Sequence, residues 1–185
     1  MDLADRVLRD SRRRGLGLLL GRLFDLPVVG PLLARAARAP MRATFVTTRI
    51  TRLHARLLRI SGGRLRRSWL FAAGQPVLVL TTVGRRSGQQ RTTAVACFVH
   101  EGELVIAGMN LGVARPPAWA LNLQATPEAT IEVGGETIPV RARQAHGDEA
   151  EALWRRWADL QPSATALRDL AGREIPLFVL AERLA

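Results

Sequence analysis

A series of short apolar runs, bounded by turn residues, is the clearest pattern in the chain and predicts strands. Glu101 and Gly102 separate two of these runs, and the pair Gly134-Gly135, a strong signal for a tight hairpin turn, separates two more. Because these connections are short, neighbouring strands are expected to pair as an antiparallel meander. The predicted strands cover residues 77–80, 94–99, 104–109, 129–133, 136–145 and 175–180. We therefore expect a mainly β fold with flanking helices, which is an α+β class.

Apolar residues spaced three or four apart predict helices at 49–60, at 117–123, from Asp148 onward, and from Ser163 to the residue before Gly172. The acidic pair Asp148 and Glu149 suits the positive end of a helix dipole. The helix at 49–60 carries an apolar stripe opposite an arginine stripe. Two interpretations follow: the apolar stripe packs on the strands and the arginines face solvent, or the helix lies in an anionic membrane surface.

The formal charge of +11 is concentrated before residue 71. Residues 1–70 hold 16 arginines and 4 acidic residues, a charge of +12, whereas the rest of the chain holds 11 arginines and 12 acidic residues, a charge of −1. With the predicted helix at 49–60 as the first element of the folded domain, we divide the chain into a basic, partly apolar extension, residues 1–48, and a folded domain, residues 49–185. The excess charge favours peripheral contact with an anionic membrane, at the inner face of the cell membrane of an otherwise cytoplasmic protein.

Composition excludes several other classes of protein. The apolar stretch 16–33 is interrupted by Arg22 and Asp25, and a charge at the centre of a spanning helix costs about 2.5 to 3.5 kcal/mol, so we expect no membrane span. The single Cys97 excludes an internal disulfide framework, and three histidines without a recurring spacing do not predict a metal site. Nucleic acid is not an expected partner, because most arginines, 16 of 27, lie before the first predicted strand and no recognition motif accompanies them.

The stretch TTVGRRSGQQRTT, residues 81–93, concentrates groups that bind anions. Guanidinium groups and hydroxyls bind phosphate and carboxylate through charged hydrogen bonds. The spacing is not that of a nucleotide P-loop, and the flanking apolar runs predict strands, so the anion site is expected on a β-hairpin. A solvated surface turn is the alternative. The donors are Arg85, Arg86, Ser87, Arg91, Thr92 and Thr93, with Gly84 and Gly88 bracketing the turn.

A second stretch, NLGVARPPAWALNLQATP, covers residues 110–127. Together the two stretches resemble the deazaflavin-dependent nitroreductase family, whose members use reduced coenzyme F420 on a split β-barrel. The resemblance covers about residues 50 to 182 and implies a barrel of about six or seven antiparallel strands, like that of FMN-binding proteins. Met109 stands where the family usually has serine, and the chain has no tyrosine, so the substrate does not follow from the resemblance.

The resemblance implies a site for coenzyme F420 at these two stretches. In the family the hairpin holds the phosphate and acidic tail of the coenzyme, and the later stretch lies beside it. Asn122 is expected to brace the neighbouring loop, whereas Trp119 and Met109 could equally fill the core. The expected cofactor-binding residues are Arg85, Arg86, Ser87, Gly88, Arg91, Thr92, Thr93, Ala107, Gly108, Met109, Asn110, Pro117, Ala118, Trp119 and Asn122.

The activity implied by the resemblance is hydride transfer from reduced F420 to a small electron-poor acceptor: a quinone, a nitro compound or an activated alkene. No Ser-His-Asp or Cys-His arrangement is present, so no catalytic side chain is assigned, which suits chemistry carried by a cofactor. Two alternatives remain: an FMN-dependent oxidoreductase on the same barrel, and a non-catalytic F420 carrier. A homodimer is also considered, because the strand at 94–99 is apolar on both faces.

Overall fold

The computed structural model describes residues 2–12, 75–133, 135–161 and 164–183. Within these residues, six antiparallel strands close into a barrel in the order β1-β2-β3-β6-β5-β4. The predicted mainly β fold with flanking helices is confirmed. The strands are β1 (Val77–Val83), β2 (Gln90–His100), β3 (Glu103–Ala107), β4 (Glu128–Val133), β5 (Glu136–Gln144) and β6 (Leu177–Glu182).

The strand order differs from the single meander that the short turns predicted. The chain runs through β1, β2 and β3, then crosses one barrel end and returns as β4 beside β1, with Leu80 opposite Ile131. The barrel closes where β3 pairs with β6. The crossing segment, residues 108–127, carries helix α2 (Ala118–Ala125). Its length lets the chain span the barrel end, which a tight turn cannot do.

Alternation along the strands divides most buried apolar residues between two large clusters, and a third, smaller cluster holds Val77 and Val79. Leu80, Cys97 and Phe178 belong to the cluster inside the barrel, whereas Phe98 and Val179 belong to a second cluster on the outer face. Helices α3 (Gly147–Leu160) and α4 (Ala164–Ala171) supply the rest of that outer cluster. The ring centroid of Phe98 lies 5.3 Å from that of Trp157 on α3. The helices thus cover the outer face of β2, which is why this strand is apolar on both faces.

A helix that the sequence did not predict, α1 (Leu3–Arg12), packs at the barrel end opposite α2. Leu3 and Val7 are buried in the inner barrel cluster. Arg6 places Nη2 2.6 Å from Oε2 of Glu136 at the start of β5, and Nη1 3.5 Å from Oε1 of Glu182 at the end of β6. The first residues of the chain therefore contribute to the core of the barrel.

Some sequence predictions concern residues outside the described parts of the chain. These are the helix at 49–60, the apolar stretch at 16–33, the start of a helix at Ser163, and Gly134 of the hairpin turn. Among the described helices, none is long and apolar enough to cross a bilayer. The last strand begins two residues later than predicted, at Leu177, because Pro176 has no backbone N–H to donate to the ladder, although its carbonyl still accepts from Gly108.

Candidate functional site

The loop between β1 and β2, residues 84–89, is closed by its own backbone hydrogen bonds. The Gly84 N–H donates to the Gln89 carbonyl at 2.8 Å, and the Gly84 carbonyl accepts from the N–H groups of Ser87 and Gly88 at 3.1 and 2.8 Å. Gly88 has a φ of 64°, which glycine adopts without steric cost. A Cβ on Gly84 would lie 2.8 Å from Ser87 Oγ. Both glycines of the motif are thus required by the shape of this turn.

Three arginine side chains of this hairpin, Arg85, Arg86 and Arg91, are exposed. Nη2 of Arg91 lies 3.5 Å from Ser87 Oγ and 3.2 Å from Gln89 Oε1, so it turns back over the loop. Among the described residues, the ion pairs join other arginines to carboxylates and none includes these three. Their positive charge is therefore not neutralised within that part of the chain and can hold an anion.

The buried side chain of Asn122, on α2, connects this loop to the barrel. Its Nδ2 donates to Oγ1 of Thr82 on β1 at 3.0 Å, and its Oδ1 accepts the backbone N–H of Arg85 at 3.2 Å. Both Thr82 and Asn122 are buried. The amide therefore fixes Arg85, the first arginine of the loop at residues 84–89 (the arginine loop), relative to α2. Thr82 belongs to the sequence motif but was not among the predicted site residues; its position one residue inside an apolar strand gave no sign of a buried polar partner.

Arg91, Thr92 and Thr93 lie on β2 rather than in the loop. Successive side chains of a strand point to opposite faces. The Thr92 hydroxyl lies 2.9 Å from the hydroxyl of Thr81, on the face opposite to that of Arg91 and Thr93. The structure therefore brings Arg91 to the loop and separates Thr92 from it.

The segment after β3 is held close to β6. The Gly108 N–H donates to the carbonyl of Pro176 at 2.8 Å, and a Cβ on Gly108 would lie 2.7 Å from Pro176 Cγ. Asn110 has a φ of 51°, and its Nδ2 donates to the carbonyl of Arg115 at 2.8 Å. Met109 is buried in the outer core cluster with residues of α3 and α4. Its side chain fills the core, so only its backbone is available at the site.

Helix α2 joins the two stretches at one end of the barrel. Pro117 precedes its first turn and Ala118 is exposed. The half-buried Trp119 ring lies 5.9 Å from the ring of Phe178 on β6, and Phe178 pairs with Ile106 at the end of β3. Trp119 and Asn122 thus link the end of β3 to the arginine loop, and the predicted residues lie at this barrel end except for the side chains of Thr92 and Met109.

Among the described residues, no side chain or metal-binding cluster is suited to carry out redox chemistry by itself. No cluster of three metal-binding side chains occurs among them. Burial raises the pKa of the Cys97 thiol to about 12, so it is not a nucleophile at neutral pH. What this barrel end presents is a set of exposed arginines, a glycine-shaped turn and an aromatic ring, which can bind and orient an anionic cofactor.

Comparison with known proteins agrees with this description. The sequence profile of a family described as F420H(2)-dependent quinone reductase matches residues 50–182. The F420H(2)-dependent quinone reductase Rv1261c of Mycobacterium tuberculosis is 30% identical over 143 residues, which cover 75% of this chain and 93% of the relative.

Two solved structures extend the comparison to the fold. An F420-H2 dependent reductase, FDR-A, superposes with a TM-score of 0.51 at 25% identity, over 57% of this chain and 94% of its own. A structure described as a domain-swapped dimer superposes with a TM-score of 0.53 at 23% identity, over 70% of this chain and 96% of its own. The predicted split β-barrel is confirmed.

Proposed function

The chain belongs to the F420H(2)-dependent quinone reductase family, and we propose that it binds coenzyme F420 at the barrel end formed by the arginine loop and α2 and reduces a quinone there. The protein is an oxidoreductase that depends on reduced F420. One observation carries the location of the site: the exposed arginines Arg85 and Arg86 on a loop that Asn122 holds at the backbone of Arg85, with Arg91 beside them at the start of β2.

The residues at this barrel end fit the coenzyme. F420 carries a phosphate and an acidic glutamate tail, and Arg85, Arg86 and Arg91 would hold these anionic groups, since charged hydrogen bonds to guanidinium are strong and directional. Ser87 and the N–H of Gly88 would add donors. The backbone of Ala107, Gly108, Met109 and Asn110 would meet the edge of the ring. FMN carries a single phosphate and no acidic tail, so the three arginines would make fewer charged hydrogen bonds to it.

The protein contributes orientation and electrostatics to the reaction. When bound, reduced F420 supplies the hydride from C5 of its deazaflavin ring. Trp119 would form one wall of the site, together with Pro117 and Ala118, and would exclude water from it. Positive charge on the arginine loop raises the affinity for the anionic coenzyme, and fixed N–H donors near the ring stabilise charge that develops on a reacting oxygen. No side chain is assigned as a proton donor.

Two titrations and one assay test this proposal. Fluorescence quenching of F420 by the full-length protein is compared with binding of FMN, and oxidation of F420H2 is then followed with and without menadione. We expect F420 to bind more tightly than FMN and its oxidation to require the quinone. Equal or tighter FMN binding would overturn the cofactor assignment, and tight F420 binding without turnover on quinones, nitro compounds or activated alkenes would favour a carrier.

We further propose that residues 1–48 place the protein at the cytoplasmic face of the membrane, while residues 49–185 hold the coenzyme. Residues 1–48 hold 9 arginines and 4 acidic residues, a charge of +5, which suits contact with an anionic surface. The full chain is expected to bind anionic vesicles and to release them in high salt. Added salt shortens the Debye length from about 8 Å at physiological ionic strength and so screens the attraction between the arginines and the lipid. We would test a variant with six arginines of the extension changed to Gln: Arg12, Arg13, Arg14, Arg22, Arg35 and Arg38. It alters α1 only at its last residue, and it should lose the vesicle binding. Unchanged vesicle binding would refute the proposal.

A homodimer is proposed as the assembly in solution. Sedimentation equilibrium tests it directly, because a monomer of 20.3 kDa is readily distinguished from a dimer. A single monomeric species across the concentration range would contradict it.

A further inference from the structure

Arg173, in the connection between α4 and β6, donates to four backbone carbonyl groups. Its Nη2 lies 3.0 Å from the carbonyl oxygen of Gly108 and 3.3 Å from that of Met109, and its Nε lies 3.3 Å from that of Val113. Nη1 adds the carbonyl of Glu174 at 2.9 Å. Three of these acceptors belong to the segment that follows β3, which is 60 to 65 residues away in sequence.

The surroundings of Arg173 differ from those of a surface arginine. Its side chain is half-buried, and none of the ion pairs found between described residues includes it. Desolvation lowers the pKa of its guanidinium below the ordinary value. Partial burial of an unpaired charge costs free energy, which the four carbonyl hydrogen bonds offset, so the position of this side chain is tied to the position of the segment after β3.

The hydrogen bonds from Arg173 to the carbonyl groups of Gly108 and Met109 also determine where the N–H groups of the same two peptides point. Among the described residues every peptide bond is trans, and in a trans peptide the N–H points away from the C=O. With the carbonyl groups of Gly108 and Met109 turned toward Arg173, the N–H groups of Met109 and Asn110 point away from it. Neither N–H takes part in a turn or loop hydrogen bond between described residues.

The conformation of this segment is supported from two sides. Asn110 lies in the left-handed region, with a φ of 51°, which asparagine adopts more readily than other non-glycine residues because its side chain can hydrogen-bond locally. The Nδ2 of Asn110 braces the segment locally through the carbonyl of Arg115. Arg173 provides the bonds from the other side, to the part nearest β3.

We propose that Arg173 is a positioning residue for the coenzyme site: it holds the carbonyl groups of Gly108 and Met109 so that the N–H groups of Met109 and Asn110 face the oxygen-bearing edge of the bound deazaflavin ring. This inference rests on the proposed function. Guanidinium suits the role because one rigid fork reaches carbonyl groups in several directions, whereas the lysine ammonium is a single point donor.

The test compares Arg173→Ala and Arg173→Lys with Arg168→Ala in the full-length protein. Arg168 is a matched control, because it also crosses between elements, from α4 to Glu151 on α3 at 2.9 Å, but contacts no carbonyl of the segment. We expect Arg173→Ala to raise the Kd for F420 about tenfold or more. Arg173→Lys should recover part of this loss, and Arg168→Ala should stay within about twofold of the unmodified protein. In steady-state assays, the Arg173 variants should raise KM for F420H2 more than KM for menadione.

Hydrogen–deuterium exchange supplies a readout that a general loss of stability does not reproduce. Peptides covering residues 108–113 should exchange faster in the Arg173 variants, while strands β1 and β2 exchange as in the unmodified protein. If Arg173→Ala does not fold, Arg173→Lys carries both measurements, with an expected rise in Kd of about threefold.

The outcomes separate the two levels of inference. Failure of the unmodified protein to bind F420 overturns the proposed function and this role with it. Tight binding by the unmodified protein, with unchanged Kd and unchanged exchange in the folded Arg173 variants, overturns the role of Arg173 alone. A lower melting temperature with an unchanged Kd does the same, because it makes Arg173 merely structural.

Discussion

The Nδ2 atom of Asn122 lies 3.0 Å from Oγ1 of Thr82, in the interior of the protein where α2 crosses the end of β1. The same amide accepts the backbone N–H of Arg85. One buried side chain therefore makes the position of the arginine loop depend on the position of α2. Since Trp119 lies on the same helix, the anion-binding part of the site and its aromatic wall are held in one arrangement.

The Thr82→Val variant tests this connection. It keeps the shape of the side chain but removes the acceptor for Asn122 Nδ2, and a buried donor left without a partner costs about 1 to 3 kcal/mol. We expect a loss of this size in the free energy of unfolding, measured by urea titration, together with weaker F420 binding. Thr81→Val is the control. Thr81 is the neighbour of Thr82 on β1 but points to the opposite face of the strand, where its hydroxyl bonds to that of Thr92 on β2. Equal losses of affinity in both variants would contradict the role of Asn122.

The charges of the loop are tested by Arg86→Ala and Arg91→Ala. Each charged hydrogen bond contributes about 1.5 to 3 kcal/mol, so either change should weaken F420 binding about tenfold or more. Thermal stability should barely change, because both side chains are exposed. Arg155→Ala, an exposed position on α3 whose Nε contacts only the carbonyl of Glu151 among described residues, should leave the affinity unchanged. Unaltered affinity in both loop variants would make this hairpin an ordinary solvated turn.

Gly108→Ala tests the close approach between the segment after β3 and β6. The added Cβ would lie 2.7 Å from Pro176 Cγ and 3.2 Å from the Pro176 carbonyl oxygen. Overpacking of this kind typically costs about 1 to 3 kcal/mol, and moving the segment should also weaken F420 binding. Gly135→Ala introduces backbone strain at a φ of 93° but meets no atom within 4 Å, at the opposite barrel end. It should lower stability without altering affinity, and a similar effect of both variants on affinity would refute the prediction.

Local patterns in the sequence were sufficient for the strands and for the hairpin loop. The strand β1 and the turn at Gly84 and Gly88 follow from apolar runs and glycine spacing, both of which involve only neighbours in sequence. The contact of Asn122 with Thr82 spans 40 residues, and the contacts of Arg173 with the segment after β3 span 60 to 65. The sequence predicted that Asn122 braces the neighbouring loop, but the specific hydrogen-bond partners of both side chains depend on barrel closure, which no local pattern encodes.

Helix α1 was missed for a different reason. Its apolar residues Leu3, Ala4, Val7 and Leu8 cover fewer than two helical turns among arginines and aspartates. Such a short amphipathic segment is indistinguishable from a charged tail until a surface that accepts it is known. The charge count that defined the extension was correct, but charge does not reveal where the first ten residues pack.

The thiol of Cys97 provides a probe of barrel closure. Burial raises its pKa to about 12 from an ordinary value of 9.0. A raised pKa means that the folded state keeps the proton, so the associated stability is fully present below pH 9 and is lost as pH rises toward 12. We expect DTNB at pH 8 to react with the folded protein only at the rate of unfolding, and to react rapidly in urea. Fast labelling of the native protein would show that the barrel opens locally at β2.

The last prediction concerns α1, which belongs to the extension by charge and to the barrel by packing. Leu3→Ala removes a side chain that is only 5% exposed inside the barrel cluster, and such truncations cost about 2 to 5 kcal/mol in a closed core, with the lower part of the range expected at a barrel end. The exposed Arg9→Ala should cost less than about 0.5 kcal/mol. Because α1 lies at the end opposite the arginine loop, the F420 affinity of folded Leu3→Ala should equal that of the unmodified protein at low temperature. Urea titration and F420 quenching on the same samples measure both quantities. If Leu3→Ala unfolds no more easily than Arg9→Ala, α1 adds nothing to the barrel and the whole extension is available to the membrane. If it loses the coenzyme while still folded, the two ends of the barrel are coupled.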